Sequence, residues 1–110
     1  MATAQQINAE TMAVNSALFR LQANGWRIIS VNDGEEITNI RQASSQLRAR
    51  RQAVEAAHAV DVASISVSPV ENDADDVSLL IVWGNGAEDV LADFHGPAGL
   101  VDQVEKVLDV

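Results

Sequence analysis

At residues 77–83 the chain reads Val77-Ser78-Leu79-Leu80-Ile81-Val82-Trp83, and Gly84-Asn85-Gly86 follows. This is the one stretch that would be apolar on both faces of an extended backbone. Such a pattern is typical of a strand that is covered above and below. A helix is the competing interpretation, but the run is short, rich in β-branched residues and bounded by Asp76, so a strand is favoured.

The rest of the chain supplies elements that can flank or cover this strand. Residues 63–68 alternate apolar side chains with serines and end at Pro69, which is typical of a strand with one solvent-exposed face. The other elements are helices over about residues 4–23, 41 or 44–59, and 97–108, and strands over about 26–31, 35–40 and 89–94. The last three strands are expected to form a meander. The order αββαβββα predicts one α+β domain over residues 1–110, with an antiparallel sheet of up to five strands and three helices.

Two arrangements would account for a strand that is apolar on both faces. In the first, helices lie on both faces of the sheet. In the second, a second copy of the chain closes one face. The sequence leaves both arrangements open.

The first hairpin is predicted at Asn32-Asp33-Gly34, because Asp-Gly tolerates the positive φ angles of a tight turn. A two-residue loop pairs Ile28 with Asn39. A three-residue loop with Gly34 in a bulge pairs Ile29 with Ile37, and its better apolar matching favours it.

The helices are predicted from their apolar stripes and end signals. In the first helix, Thr3 opens a capping box and Gly25 ends the helix. Its buried stripe is expected at Ile7, Thr11, Val14, Leu18 and Leu21, widened by Met12 and Phe19. The buried side of the second helix is expected at Ala43, Leu47, Val54 and Ala57. Pro97 is expected at the first position of the third helix.

Composition restricts the classes of protein to which the chain can belong. There is no cysteine, which excludes disulfides, thiolate metal sites and a cysteine nucleophile. The N-terminus lacks the basic and apolar regions of a signal peptide. The longest apolar run, residues 79–83, is far shorter than the roughly 20 residues of a membrane helix. We therefore expect a soluble, cytoplasmic protein.

The net charge of −9 is unevenly distributed. Residues 1–51 carry six bases and four acids, whereas residues 52–110 carry one base, Lys106, and twelve acids. The acidic half should repel nucleic acid and anionic membranes. It either attracts a partner with a basic surface or serves only to keep the protein soluble. The candidate partner-binding residues, on loops at the sheet ends, are Glu71, Asp73, Asp75, Asp76, Glu88 and Asp89.

No motif predicts a catalytic residue, a metal site or a cofactor. Asp93 and His95 share one face of a strand, but no second histidine accompanies them at metal-ligand spacing. The acidic loop 71–76 lacks the spacing of a calcium loop, and Gly84-Asn85-Gly86 lacks the Gly-Lys-Ser/Thr of a phosphate loop. The exposed arginines expected at positions 41, 48 and 51 are too few for nucleic-acid binding against this net charge.

Two segments resemble small uncharacterised α+β proteins of phages, prophages and bacteria. They are the hairpin from Trp26 to Glu36 and the run Val82-Trp83-Gly84-Asn85 with residues 88–94. The resemblance implies an α+β fold and residence on a mobile element, and it transfers no catalytic residue.

The function hypothesis is therefore a non-enzymatic acidic module that binds another protein. On a mobile element it would act as an inhibitor that blocks a basic, nucleic-acid-handling protein. The alternative is a structural or assembly subunit that acts through self-association, such as a homodimer.

Overall fold

The computed structural model of the protein describes residues 4–40, 43–71 and 75–109, and it describes the side chains from residue 8 onward. The elements are α1 (Ala4–Ala23), β1 (Trp26–Asn32), β2 (Ile37–Asn39), α2 (Gln46–Ala57), β3 (Val62–Pro69), β4 (Val77–Val82), β5 (Leu91–His95) and α3 (Ala98–Leu108). This order confirms the predicted αββαβββα fold.

The five strands form one antiparallel sheet in the order β2-β1-β3-β4-β5. The predicted meander of β3, β4 and β5 is confirmed, and β4 has a neighbour on each flank. The middle strand is β3, because β1 pairs with its other edge. That pairing joins strands separated in sequence by β2 and α2.

Both predicted registers of the first hairpin are wrong. In the structure Asn32 pairs with Ile37, which leaves a four-residue loop over residues 33–36. The Asp33 carboxylate accepts hydrogen bonds from the backbone amides of Glu35 and Glu36, at 2.9 and 2.7 Å. These bonds hold both glutamates in the loop, and the same amides hold the pKa of Asp33 below its ordinary value.

All of the strand residues in the hydrophobic core point to one face of the sheet. They are Trp26, Ile28 and Val31 of β1, Ala63, Ile65 and Val67 of β3, and Val77, Leu79 and Ile81 of β4. The buried apolar residues of all three helices belong to the same cluster. The arrangement with helices on both faces is therefore wrong for the described residues.

The opposite face, which we call the open face, carries side chains that are half-buried or exposed. From β3 and β4 it presents Val62, Ser64, Ser66, Ser78, Leu80 and Val82. Ser68 is the exception, since it is fully buried beside its pairing partner Arg27. The expectation that β4 is covered on both faces therefore holds for its inner face only.

Helix α1 has its predicted bounds, but its buried stripe is narrower than expected. Val14, Leu18 and Leu21 are buried as predicted, whereas Met12 and Phe19 are 70% and 55% exposed. Gly25 ends the helix with a φ of 86°. The predicted cap at Thr3 lies outside the described residues.

The buried side of helix α2 was predicted only in part: Ala57 is fully buried and Ala43 and Val54 pack partly against the core, but Leu47 does not. Its buried residues are Ala49, Ala53 and Ala57, at steps of four, whereas Leu47 is 47% exposed. Small side chains let the helix backbone lie close to β1 and β3. Ser45 is the N-cap, and its hydroxyl accepts from the amide of Arg48 at 3.1 Å.

Strand β5 begins two residues later than predicted, because Asp89 is held in the preceding turn. Its amide donates to the carbonyl of Gly86 at 3.1 Å. Pro97 is the N-cap of α3 and not its first helical residue. Before it, Gly96 passes so close to β4 that an added Cβ would lie 2.7 Å from the carbonyl oxygen of Asp76.

Candidate functional site

The loop between β3 and β4 carries four of the six predicted partner-binding acids. Glu71, Asp75 and Asp76 are exposed to solvent, and Asp73 lies outside the described residues. Exposed carboxylates on a loop at the end of a sheet are accessible to a macromolecular partner.

The other two predicted acids, Glu88 and Asp89, are exposed on the loop between β4 and β5. This loop leaves the opposite end of β4, whose six residues span about 20 Å at 3.3 Å per residue. The described members of the set therefore form two separate acidic groups, about 20 Å apart at opposite ends of β4.

The sheet topology adds further acids to the group at Glu88 and Asp89. Val62 at the start of β3 pairs with Val82 at the end of β4, and Asn32 at the end of β1 pairs with Ser64. The loop 33–36, Asp61 and the β4–β5 loop therefore lie at the same end of the sheet. We call the exposed carboxylates at this end the acidic rim; they are Glu35, Glu36, Asp61, Glu88 and Asp89.

Sequence reasoning missed the rim because it depends on the pairing of β1 with β3. Glu35 and Asp61 are 26 positions apart, and both are far from Glu88 in the sequence. The only indication of the rim in the sequence is that each of its acids directly follows or precedes a β-prone run. The three segments that form the rim, residues 33–36, 58–61 and 83–90, contain no lysine or arginine.

A fully buried glutamate, Glu10 of α1, attaches the helix to the β4–β5 loop. Its carboxylate accepts hydrogen bonds from the amide of Gly84, at 3.0 Å to each oxygen, and from the amide of Gly86 at 2.6 Å. Both glycines have φ near 100°, a conformation that aims their amides at one point. The loop that resembled a phosphate loop therefore binds an anion of its own chain.

Glu10 was not recognised from the sequence, although a signal was present. It lies four residues before Val14 and seven before Ala17, so it shares the buried side of α1. A carboxylate on such a stripe requires a fixed partner. Only the fold shows that the partner is a pair of glycine amides 74 and 76 positions away.

His58 and Trp83 form a second contact beside this loop. Their rings stack with centroids 3.9 Å apart, and the indole N–H of Trp83 donates to the carbonyl of Ala57 at 2.8 Å. His58 Nε2 lies 2.7 Å from the Thr11 hydroxyl. Partial desolvation of the imidazole lowers the pKa of His58 below its ordinary 6.5, and the negative charge of Glu10 acts in the opposite direction.

Asp93 and His95 are brought together, as their spacing predicted. His95 Nε2 lies 2.9 Å from Asp93 Oδ2, and both side chains are more than half exposed. They lie on edge strand β5 in open solvent. Among the described residues, no group of three or more carboxylates and imidazoles is arranged to hold a metal ion.

The arginines of α2 lie on two different sides of the helix. Arg48 and Arg51 are exposed as expected, and Arg41 lies outside the described residues. Arg50 is half-buried; it donates to the side chain of Gln22 at 2.7 Å and lies over the ring of Phe19.

Comparison with protein-family models, curated proteins and solved structures finds no match to this chain. The helices within the described ranges are each too short or too polar to cross a bilayer.

Proposed function

We propose that the protein is a non-enzymatic module that binds another protein through its acidic loops. The observation that supports this most directly is the acidic rim, where five exposed carboxylates come from three chain segments without a lysine or arginine. Clustered charge of one sign speeds association with a partner of opposite charge and selects against others.

The partner class is a protein with a basic surface. Such surfaces are common on proteins that bind nucleic acid, since they neutralise phosphates. A module that covers one of them would inhibit nucleic-acid binding by competition. The inhibitor role would suit a protein that is encoded on a mobile element, as the resemblance implies. The absence of cysteine supports a cytoplasmic location.

The proposal is tested by reversing charge at the two ends of β4 separately. One variant carries Glu88→Lys and Asp89→Lys, and the other carries Asp75→Lys and Asp76→Lys. Both change the net charge equally, so each controls for the other. Binding is measured as capture of partners from lysate of the native host, at low and high salt, with identification by mass spectrometry.

We expect the rim variant to lose about tenfold or more of its partner binding at low salt, because electrostatic steering contributes factors of that size. High salt should weaken the wild type in the same way. Equal losses in both variants would indicate an effect of net charge only, and loss in the Asp75/Asp76 variant alone would contradict a role for the rim.

A different observation favours the alternative function, assembly through self-association. The open face of the sheet is uncharged along its two middle strands and is uncovered within the described chain.

A further inference from the structure

A cavity of about 200 Å³ lies where the end of α1 and the start of α2 meet β1. Its walls include Gln22, Trp26, Ile28, Ile40, Gln46 and Ala49. The cavity is at the end of the sheet opposite the acidic rim, because Trp26 pairs with Pro69 at the end of β3. We propose that it binds a small organic anion, a carboxylate carried on a single apolar ring.

Much of the cavity wall is apolar and buried. Trp26 and Ile28 are buried on the inner face of the sheet, and Ile40 and Ala49 are buried beside them. Strand β2 pairs only with residues 30–32 of β1, so within the described chain no strand lies beside Trp26 and Ile28 on this flank. A dry apolar cavity of about 150 Å³ accommodates benzene, so this cavity accommodates one ring with a small substituent.

The indole N–H of Trp26 is a hydrogen-bond donor without an acceptor. Trp26 is 4% exposed, and within the described ranges its N–H has no hydrogen-bond partner. The nitrogen is not sealed from solvent, so it is reached from the cavity that the residue lines. Buried indole N–H groups usually find a partner, as that of Trp83 does in the carbonyl of Ala57. A ligand oxygen in the cavity would supply the missing acceptor.

The start of α2 presents further donors at the cavity. The amides of Arg48 and Ala49 are bonded to the side chain and the carbonyl of Ser45. The amides of Gln46 and Leu47 have no partner among the described residues, and Gln46 lines the cavity. Free amides at a helix N-terminus carry partial positive charge and bind anions.

The charges around the cavity also favour an anion. Arg50 donates to the side-chain oxygen of Gln22 at 2.7 Å, and Gln22 in turn donates to the carbonyl of Gln46 at 3.1 Å. These bonds hold a guanidinium behind the cavity wall. None of the described lining residues is acidic, in a chain of net charge −9. A carboxylate bound here therefore meets no like charge in the described wall, whereas a cationic ligand finds no counter-ion there.

The test is a titration of the full chain with benzoate, followed in nitrogen–proton correlation spectra. We expect saturable shifts of the Trp26 indole N–H and of the amides of Gln46 and Leu47, at about millimolar concentration for a ligand of this size. The indole N–H of Trp83 is the internal control and should not shift. Benzyl alcohol has the ring without the charge, and acetate has the charge without the ring. Each should therefore bind about tenfold more weakly than benzoate, or less.

Variants on two sides of the cavity test the same site. Trp26→Phe retains an aromatic ring and removes the N–H donor, so it should weaken benzoate binding about tenfold. Trp83→Phe makes the same chemical change at the other end of the sheet and should leave benzoate binding unchanged. Ala49→Leu places a larger side chain in the cavity and should abolish binding. It decides the matter if the spectrum shows that Trp26→Phe does not fold.

Three results with the wild type would overturn the proposal: no saturable shift at Trp26, equal shifts at Trp26 and Trp83, or benzyl alcohol or acetate bound as tightly as benzoate. Unchanged benzoate binding in a folded Trp26→Phe or Ala49→Leu variant would do the same. None of these substitutions alters the acidic rim, so the outcome does not depend on whether a partner binds there.

Discussion

At the scale of single residues, Glu10 connects parts of the chain that are far apart in the sequence. The Glu10 carboxylate accepts hydrogen bonds from the amides of Gly84 and Gly86 while fully buried. In such surroundings a bond to a charged acceptor is stronger than a neutral one, and an unpaired donor is costly.

Glu10→Gln should lower the free energy of unfolding by about 1–3 kcal/mol. The amide group retains one oxygen acceptor but turns an N–H₂ donor towards a glycine N–H. Urea denaturation measures the change. Glu55→Gln, on the exposed side of α2, is the control and should stay within about 0.5 kcal/mol of wild type. A variant at position 10 as stable as that control would show that the carboxylate contributes nothing to the fold.

His58 should make stability depend on pH just below neutrality. Because burial lowers its pKa in the folded protein, the unfolded chain binds the proton more readily. Stability is then fully present above pH 6.5 and falls as the pH is lowered below that value. Asp33 acts in the same direction but only in more acidic solution, below its ordinary pKa of 3.8.

His58→Phe retains the stacked ring on Trp83 and removes the titrating group. The melting temperature of the wild type should fall more steeply than that of the variant between pH 7.5 and pH 5. Parallel profiles would mean that the imidazole does not contribute to acid sensitivity.

At this scale, the sequence predicted those residues whose interaction partners are close to them in the chain. Gly25 ends α1 as expected because its positive φ is a property of the turn itself. The position of the first hairpin was also predicted. Its register was not, since that is determined by which amides the Asp33 carboxylate binds. The partners of Glu10 are more than 70 positions away, and no local pattern identifies them.

At the scale of elements, α2 shows why side-chain size alone is a poor guide to burial. Leu47 and Val54 are larger than the alanines of the same helix, and a pattern that ranks residues by hydrophobicity selects them. The fully buried side consists of Ala49, Ala53 and the predicted Ala57, where the helix lies close to the sheet, while Val54 is half-buried and Leu47 is exposed. The distance between α2 and the sheet determines which side of the helix faces inward. The sequence of the helix alone does not specify that distance.

Ala53→Leu should therefore destabilise the protein by about 1–3 kcal/mol through overpacking, because Ala53 is fully buried. Thermal unfolding should show a melting temperature lower by several degrees. The neighbouring Gln52→Leu adds a leucine on the exposed side and serves as the control. A stable Ala53→Leu variant would indicate free space between α2 and the sheet.

At the scale of the whole molecule, the sequence predicted the element order and the β3-β4-β5 meander, because these follow from alternation and turn residues. It did not predict which elements lie side by side when long connections separate them. The pairing of β1 with β3 assembles the acidic rim, and the placement of all three helices on one face leaves the open face uncovered. Both proposed interaction surfaces thus arise from topology.

The pairing of β1 with β3 also determines when the protein can fold during its synthesis. A ribosome that has released residues 1–61 has produced α1, β1, β2 and α2, but the inner edge of β1 has no strand beside it. Ile28 and Val31 then lack the neighbours Val67 and Ile65 that complete their layer. The N-terminal half can therefore complete its hydrophobic layer only after β3 has emerged.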